Sequence, residues 1–180
     1  MSAKRRDFNE RLTNGDVPTG RYLTEIAAKI IWIRQQIAQV EDTKTLSEEL
    51  LSELNAYSSL KNIIDSTLEE MRSAEIEQFD MWCREIIEAV DERSDSVSLE
   101  TTGKLMTIEQ KHGTLNVNYG DRLVRLLKEV RQLASLGFTI PVKIINCANT
   151  GEKFYKYAIV LKQASQLISS TRHVSEIFFF

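Results

Sequence analysis

Glycine and proline are scarce in this chain of 180 residues: seven and two, where average usage gives roughly twenty together. None falls in the eighty-two residues 21–102. Tight turns depend on the special φ angles these residues supply, so a β-sandwich or barrel is excluded there, and so is a glycine loop around a phosphate. Long helices remain. Cysteine is almost as rare: Cys83 and Cys147 are isolated, form no CxxC pair and follow no secretory signal, which favours a reduced, intracellular setting. No stretch approaches the ~20 uncharged residues that span a bilayer, so membrane insertion is not expected. What is present, 42% hydrophobic and 27% charged residues, is the composition of a folded, water-soluble chain.

The net charge of −3 conceals a strong segregation. Residues 41–100 carry 17 acidic and 5 basic side chains, residues 1–40 carry a net of +3, and residues 101–180 a net of +6. The acidic middle repels nucleic acid, and no stripe of basic and aromatic residues suits such a ligand elsewhere. The basic last third is expected to pair with an acidic surface, within the chain or on a partner protein.

Residues 1–19 begin with a basic run, Met1 to Arg6, and read as a flexible, solvated arm. From residue 21, Leu23, Ile26, Ala27, Ile30, Ile33, Ile37 and Val40 fall at helical spacing, with Ile31 and Trp32 widening the stripe. A helix over 20–41, buried around more than half its circumference, is expected. Thr45 and Glu48 have the spacing of a capping box, which places a helix start there. The second stripe takes Leu50, Leu54, Tyr57, Lys61, Ile64, Leu68, Met71, Glu75, Phe79, Trp82, Ile86 and Val90. Its mean step of about 3.64 residues is that of a straight α-helix packed in a bundle, not the 3.5 of a sustained coiled coil. The stripe predicts one long acidic helix, or a helix pair, over 45–93, roughly 70 Å if unbroken, with Lys61 and Glu75 as candidate kinks.

Residues 94–102 read as a Ser/Thr-rich loop. Residues 104–119 alternate apolar and polar side chains around Lys111, His112 and Gly113, a β-hairpin pattern. Asp121 then caps a helix over 121–136 carrying Leu123, Leu126, Leu127, Val130 and Leu133, which Gly137 closes. Pro141 starts the helices of 141–163, and a last helix carries Phe154, Tyr157, Ala158, Leu161, Ala164 and Ile168 on one face. The fold class expected is mainly α: an elongated helical bundle with one long acidic helix and a small β-hairpin insertion.

Catalytic chemistry finds no support. There is no GxxxxGK[ST], no HExxH and no Cys/His cluster, so no cofactor or metal is expected. A Cys83 nucleophile served by His112 needs distant positions to meet, and His173 is the only other imidazole. Paired carboxylates, Glu48 and Glu49 or Glu69 and Glu70, fit a solvated helix face better than acid–base work. No catalytic, cofactor-binding, metal or partner-binding residue is assigned. Trp32, Trp82 and Tyr57 are the large side chains to inspect, and core packing is the expected role of each.

Three runs carry a family resemblance: Leu115-Asn-Val-Asn-Tyr119, Arg122-Leu-Val-Arg-Leu-Leu-Lys-Glu-Val-Arg-Gln-Leu133 and Leu136-Gly-Phe-Thr-Ile-Pro141. With Ile31-Trp32-Ile-Arg34-Gln35 before them and Phe154-Tyr155 and Ala158-Ile-Val-Leu161 after, they resemble the N-terminal tail of dynein heavy chains over residues 20–163. Ser135-Leu-Gly-Phe-Thr-Ile-Pro141 and Ala148-Asn-Thr150 are most similar to the cytoplasmic dynein of intraflagellar transport, class two. The resemblance implies a non-catalytic piece of a long helical tail, which in the parent precedes a ring of ATPase modules and a microtubule-binding stalk. It also implies a scaffold role, with intermediate chain, light intermediate chain and a second heavy chain as partners, in cytoplasm, cytoskeleton, cilium or flagellum. Residues 164–180, ending in Phe178 to Phe180, read as a divergent end left by truncation or splicing. The alternative is a free-standing helical adaptor or regulator unrelated to motors.

Overall fold

The computed structural model describes residues 2–18, 20–51, 53, 57–91, 106–108, 115–117 and 121–177. Among these the chain is mainly helical: α1 (Ser2–Asn14), α2 (Glu25–Leu51), α3 (Tyr57–Asp91), α4 (Asp121–Ser135) and α5 (Val142–Ile177). Two short strands, β1 (Met106–Ile108) and β2 (Leu115–Val117), pair antiparallel with Thr107 opposite Asn116. The 94–102 loop, the turn at Lys111, His112 and Gly113, and Phe178 to Phe180 lie outside the described residues. The chain divides into two compact units, residues 1–85 and 86–180, each with its own core.

In the first unit the helices α1, α2 and α3 share one core. Phe8 and Val17 meet Trp32, Ile33, Ile37 and Val40 of α2 and Ile64, Leu68 and Met71 of α3, with Leu12, Leu60 and Ala74 packed at its margin. This corrects the expected flexible arm over 1–19. The basic run forms α1 because Phe8 and Leu12, four residues apart, present one apolar face while the cations find partners. The Phe8 ring stacks on the Trp32 indole with centroids 5.2 Å apart and planes 5° from parallel. Arg11 lies over the same indole at 5.6 Å. Arg5 pairs with Glu70, whose other oxygen accepts a hydrogen bond from Asn9 at 2.8 Å, and Lys4 donates to Gln39 at 2.9 Å.

The boundary between α2 and α3 also differs from expectation. Thr45 does not cap a new helix: α2 runs through it to Leu51, and α3 begins at Tyr57. The hydroxyls of Thr43, Thr45 and Ser47 each donate to the carbonyl four residues back, at 2.7, 3.2 and 2.7 Å, so they are satisfied inside a continuing helix. Ion pairs fasten this stretch to α3: Arg72 with Glu41 at 2.7 Å, Lys44 with Asp65 at 2.7 Å and Lys61 with Glu48 at 3.9 Å. Farther up, Arg34 reaches Glu75 at 2.7 Å. Lys61 and Glu75, the candidate kinks, therefore sit in an unbroken helix with partners on α2. From Tyr57 to Val90 every position of the period-3.64 stripe is buried or half-buried, whereas Leu50 belongs to α2 and is exposed.

In the second unit α4 turns Leu123, Leu126, Leu127 and Leu133 inward. Glu129 is buried on the same helix and accepts a hydrogen bond from Arg122 at 2.9 Å. The helix closes at Gly137, which has a positive φ of 90°, with Phe138 N–H donating to the Leu133 carbonyl at 3.1 Å and Gly137 N–H to Ala134 at 3.0 Å. Pro141 stands just before α5, its carbonyl accepting the N–H groups of Ile144 and Ile145 and so opening the helical ladder. The helices expected over 141–163 are one helix that continues through the supposedly divergent residues to Ile177. It packs on α4 and β2. At Gly151 the two helices come so close that a Cβ would sit 2.7 Å from Leu123 Cδ1.

Candidate functional site

The large side chains singled out in the sequence are interior. Trp32 is the stacked partner of Phe8, and Trp82 is buried with its ring 5.9 Å from that of Phe79. Tyr57 opens α3 and is half-buried, its hydroxyl without a hydrogen-bond partner among the described residues. None offers an open docking surface.

The thiols are equally enclosed. Burial, with the Asp80 carboxylate adding to it, pushes Cys83 up to about 11, and burial also raises Cys147. At neutral pH Cys83 is protonated, a poor nucleophile. His112, its suggested partner, lies outside the described residues. Among the described residues no group of His, Cys, Asp or Glu is arranged to hold a metal ion. No described helix is long and apolar enough to cross a membrane.

What stands out is α5. Its first half is conventional, with Ile144, Cys147, Ala148, Gly151 and Ala158 buried. Around and beyond Ala158 the apolar side chains turn to solvent: Tyr157 (64% exposed), Val160 (61%) and Leu167 (69%), with Phe154, Tyr155, Ile159 and Leu161 partly exposed. Of the face read from the sequence, Phe154, Tyr157, Leu161 and Ala164 are exposed and Ala158 is buried, while the side chain of Ile168 lies outside the described ones. The reason is angular. The tight crossing at Gly151 fixes which side of α5 meets α4, and Tyr157 and Ala164 lie well away from that side. The helix therefore carries apolar residues on a second, exposed side as well as on its buried one.

Electrostatics around this segment are one-sided. Lys156 and Arg131 both hold Glu152, each at 3.0 Å, and the hydrogen bond from Lys156 is the first cause of a Glu152 carboxyl pKa below its ordinary value. Lys153 and Lys162 extend into solvent. Sequence periodicity located the apolar residues of α5 correctly; which of them remain exposed depended on Gly151, whose only signal was a glycine inside a helical pattern.

The described residues thus make a mainly helical chain of packed units with one apolar helix side left exposed. The comparisons with known proteins place it more closely. The family described as dynein heavy chain, N-terminal region 1, matches residues 1–177, and the chain belongs to it. The match begins at the first residue, includes α1, and runs past Gln163 through α5. The cytoplasmic dynein 2 heavy chain 1 of Caenorhabditis elegans is 46% identical over 170 residues, covering 94% of this chain and 4% of that protein. Its counterpart in Homo sapiens is 38% identical over 171 residues, 92% of this chain and again 4% of the relative. The cytoplasmic dynein heavy chain of Drosophila melanogaster is 28% identical over 166 residues, 84% of this chain and 3% of the relative. This chain therefore corresponds to the N-terminal tail region of a dynein heavy chain, more similar to the cytoplasmic dynein 2 class, and spans about 4% of the length of those relatives. A helical adaptor unrelated to motors is set aside by this membership.

Proposed function

We propose that the chain is a non-catalytic scaffold segment of a dynein 2 heavy chain tail. In this reading it helps bring heavy chains together and carries intermediate and light intermediate chains for microtubule-based, intraflagellar transport, in the cytoplasm and cilium. The acidic α3 is its long helix and the β1 and β2 pair a small insertion. The observation that supports the reading is the run of exposed apolar side chains along α5, Tyr157, Val160 and Leu167 among them, which the chain's own core does not take up as it does Phe8 and Trp32. Burying Tyr157, Val160 and Leu167 on a partner contributes roughly 25 cal/mol for each Å2 of apolar area removed from water, the usual source of affinity at the centre of an interface. Nothing in this role requires the chain to turn over a substrate. The test is co-purification of the tagged chain with dynein intermediate, light intermediate and heavy chains from ciliated cells. Recovery of any of these subunits supports the reading, and absence of all of them at micromolar concentration removes it.

A further inference from the structure

The outer half of α5 carries an apolar stripe of its own. Tyr157, Val160, Ala164 and Leu167 are spaced three, four and three residues apart, which aligns them along one side of the helix. At about 100° per residue this line lies roughly 200° around α5 from Ile144, Cys147, Gly151 and Ala158, the positions that face inward. The helix therefore has two apolar sides, one filled by its own unit and one turned to water.

The charges beside the exposed side have one sign. Lys153 stands on the same line one turn before Tyr157, and Lys156 borders it. From residue 153 to 175 there are four basic residues and no acidic one. Glu152, the nearest carboxylate before them, is already engaged by Lys156 and Arg131. Residues 121–167 as a whole hold eight basic and three acidic side chains. A ligand approaching the stripe meets a positive field, which favours acidic flanks and opposes basic ones. The three-and-four spacing presents a ridge that the grooves of another helix accept, whereas an added strand would need a sheet edge that a helix does not offer.

We propose that the Tyr157, Val160, Ala164 and Leu167 stripe docks an amphipathic helix with acidic flanks, supplied by a different polypeptide. This rests on the reading of the chain as an assembly scaffold and names the chemistry of one partner. Co-purification with dynein subunits through another face would survive its failure, so the two readings fail separately.

The test is fluorescence anisotropy of the full 180-residue chain with a labelled helical peptide about three heptads long, Leu at its a and d positions and Glu on its flanks. A second peptide carries Lys in place of each Glu. Saturable binding of the Glu peptide, at least about tenfold tighter than the Lys peptide, is expected. Val160→Asp should weaken it by a similar factor and Lys153→Glu several-fold, with far-ultraviolet dichroism unchanged because both side chains face solvent. Equal binding of the two peptides, or indifference to both substitutions, overturns the proposal. So does a concentration-dependent dimer abolished by Val160→Asp, which would give the stripe to a second copy. Sedimentation with phosphatidylserine vesicles that is lost in Val160→Asp would give it to a lipid surface and overturn the proposal as well.

Discussion

Truncating Phe8 removes both its own buried surface and the ring on which Trp32 stacks, leaving Arg11 over an indole with one face uncovered. Phe8→Ala is expected to destabilise the first unit by about 3–5 kcal/mol, the range for deleting a buried aromatic. Thermal unfolding followed by tryptophan fluorescence would show it, and a change under ~1 kcal/mol would mean that α1 is not part of the core. Cys83 gives a second test at this scale. Its folded pKa, about 11, lies above the ordinary 9.0, so the folded state holds the proton more tightly. The associated stability is complete below pH 9.0 and is lost as the pH climbs toward 11. Denaturant titrations should show stability falling across that window, with a smaller fall in Cys83→Ala. An equal fall would assign the effect to other groups.

The course of α2 can be tested with proline. Had Thr45 capped a new helix, residue 46 would be its first turn, where proline is tolerated. Inside the observed α2, Leu46→Pro removes a backbone hydrogen bond and should cost about 3 kcal/mol, visible as a lower melting temperature and reduced helical dichroism. The contact of α4 with α5 offers a double-mutant cycle. Gly151→Ala gains about 1 kcal/mol of helix propensity but forces a methyl against Leu123, a clash of order 1–3 kcal/mol. A net loss is expected in the native background and a net gain once Leu123→Ala has opened the space. Additivity of the two substitutions would deny the contact.

These two elements also mark where sequence reading succeeds and fails. The stripe from Tyr57 to Val90 was legible because ten positions repeat one period, and averaging over them tolerates Lys61 and Glu75. The Thr45 and Glu48 pair was misleading because a hydroxyl can bond the carbonyl four residues back as well as a free N–H ahead, and only the ion pairs to α3 decide between them. α1 was missed because one turn separates its only two large apolar side chains, Phe8 and Leu12, and its basic charge pointed to solvent. The partners of that charge, Glu70 and Trp32, lie far along the chain. For α5 the pattern gave the apolar residues but not their direction, which a single close approach at Gly151 determines.

Taken as a whole molecule, the chain has an acidic middle and a basic last third, and a run of its exposed apolar side chains lies within the latter. Dyes that report exposed apolar surface should bind the native chain, and Val160→Asp should lower their fluorescence without changing the melting temperature by more than a few degrees. Unchanged fluorescence would place the dye-accessible surface elsewhere, for example at Leu46 and Leu50.

The crossing at Gly151 has a mechanical side. α5 is 36 residues long, about 54 Å at 1.5 Å per residue, and its described buried positions end at Ala158. Leu167 lies nine residues past Ala158, so a load applied there acts on an arm of roughly 14 Å beyond the last described buried position. Pull on the outer half of the helix is thus delivered to the buried positions of α5 that pack on α4 and β2. The stretch from Ile144 to Ala158 is then the fixed end from which the exposed half of the helix projects as a lever.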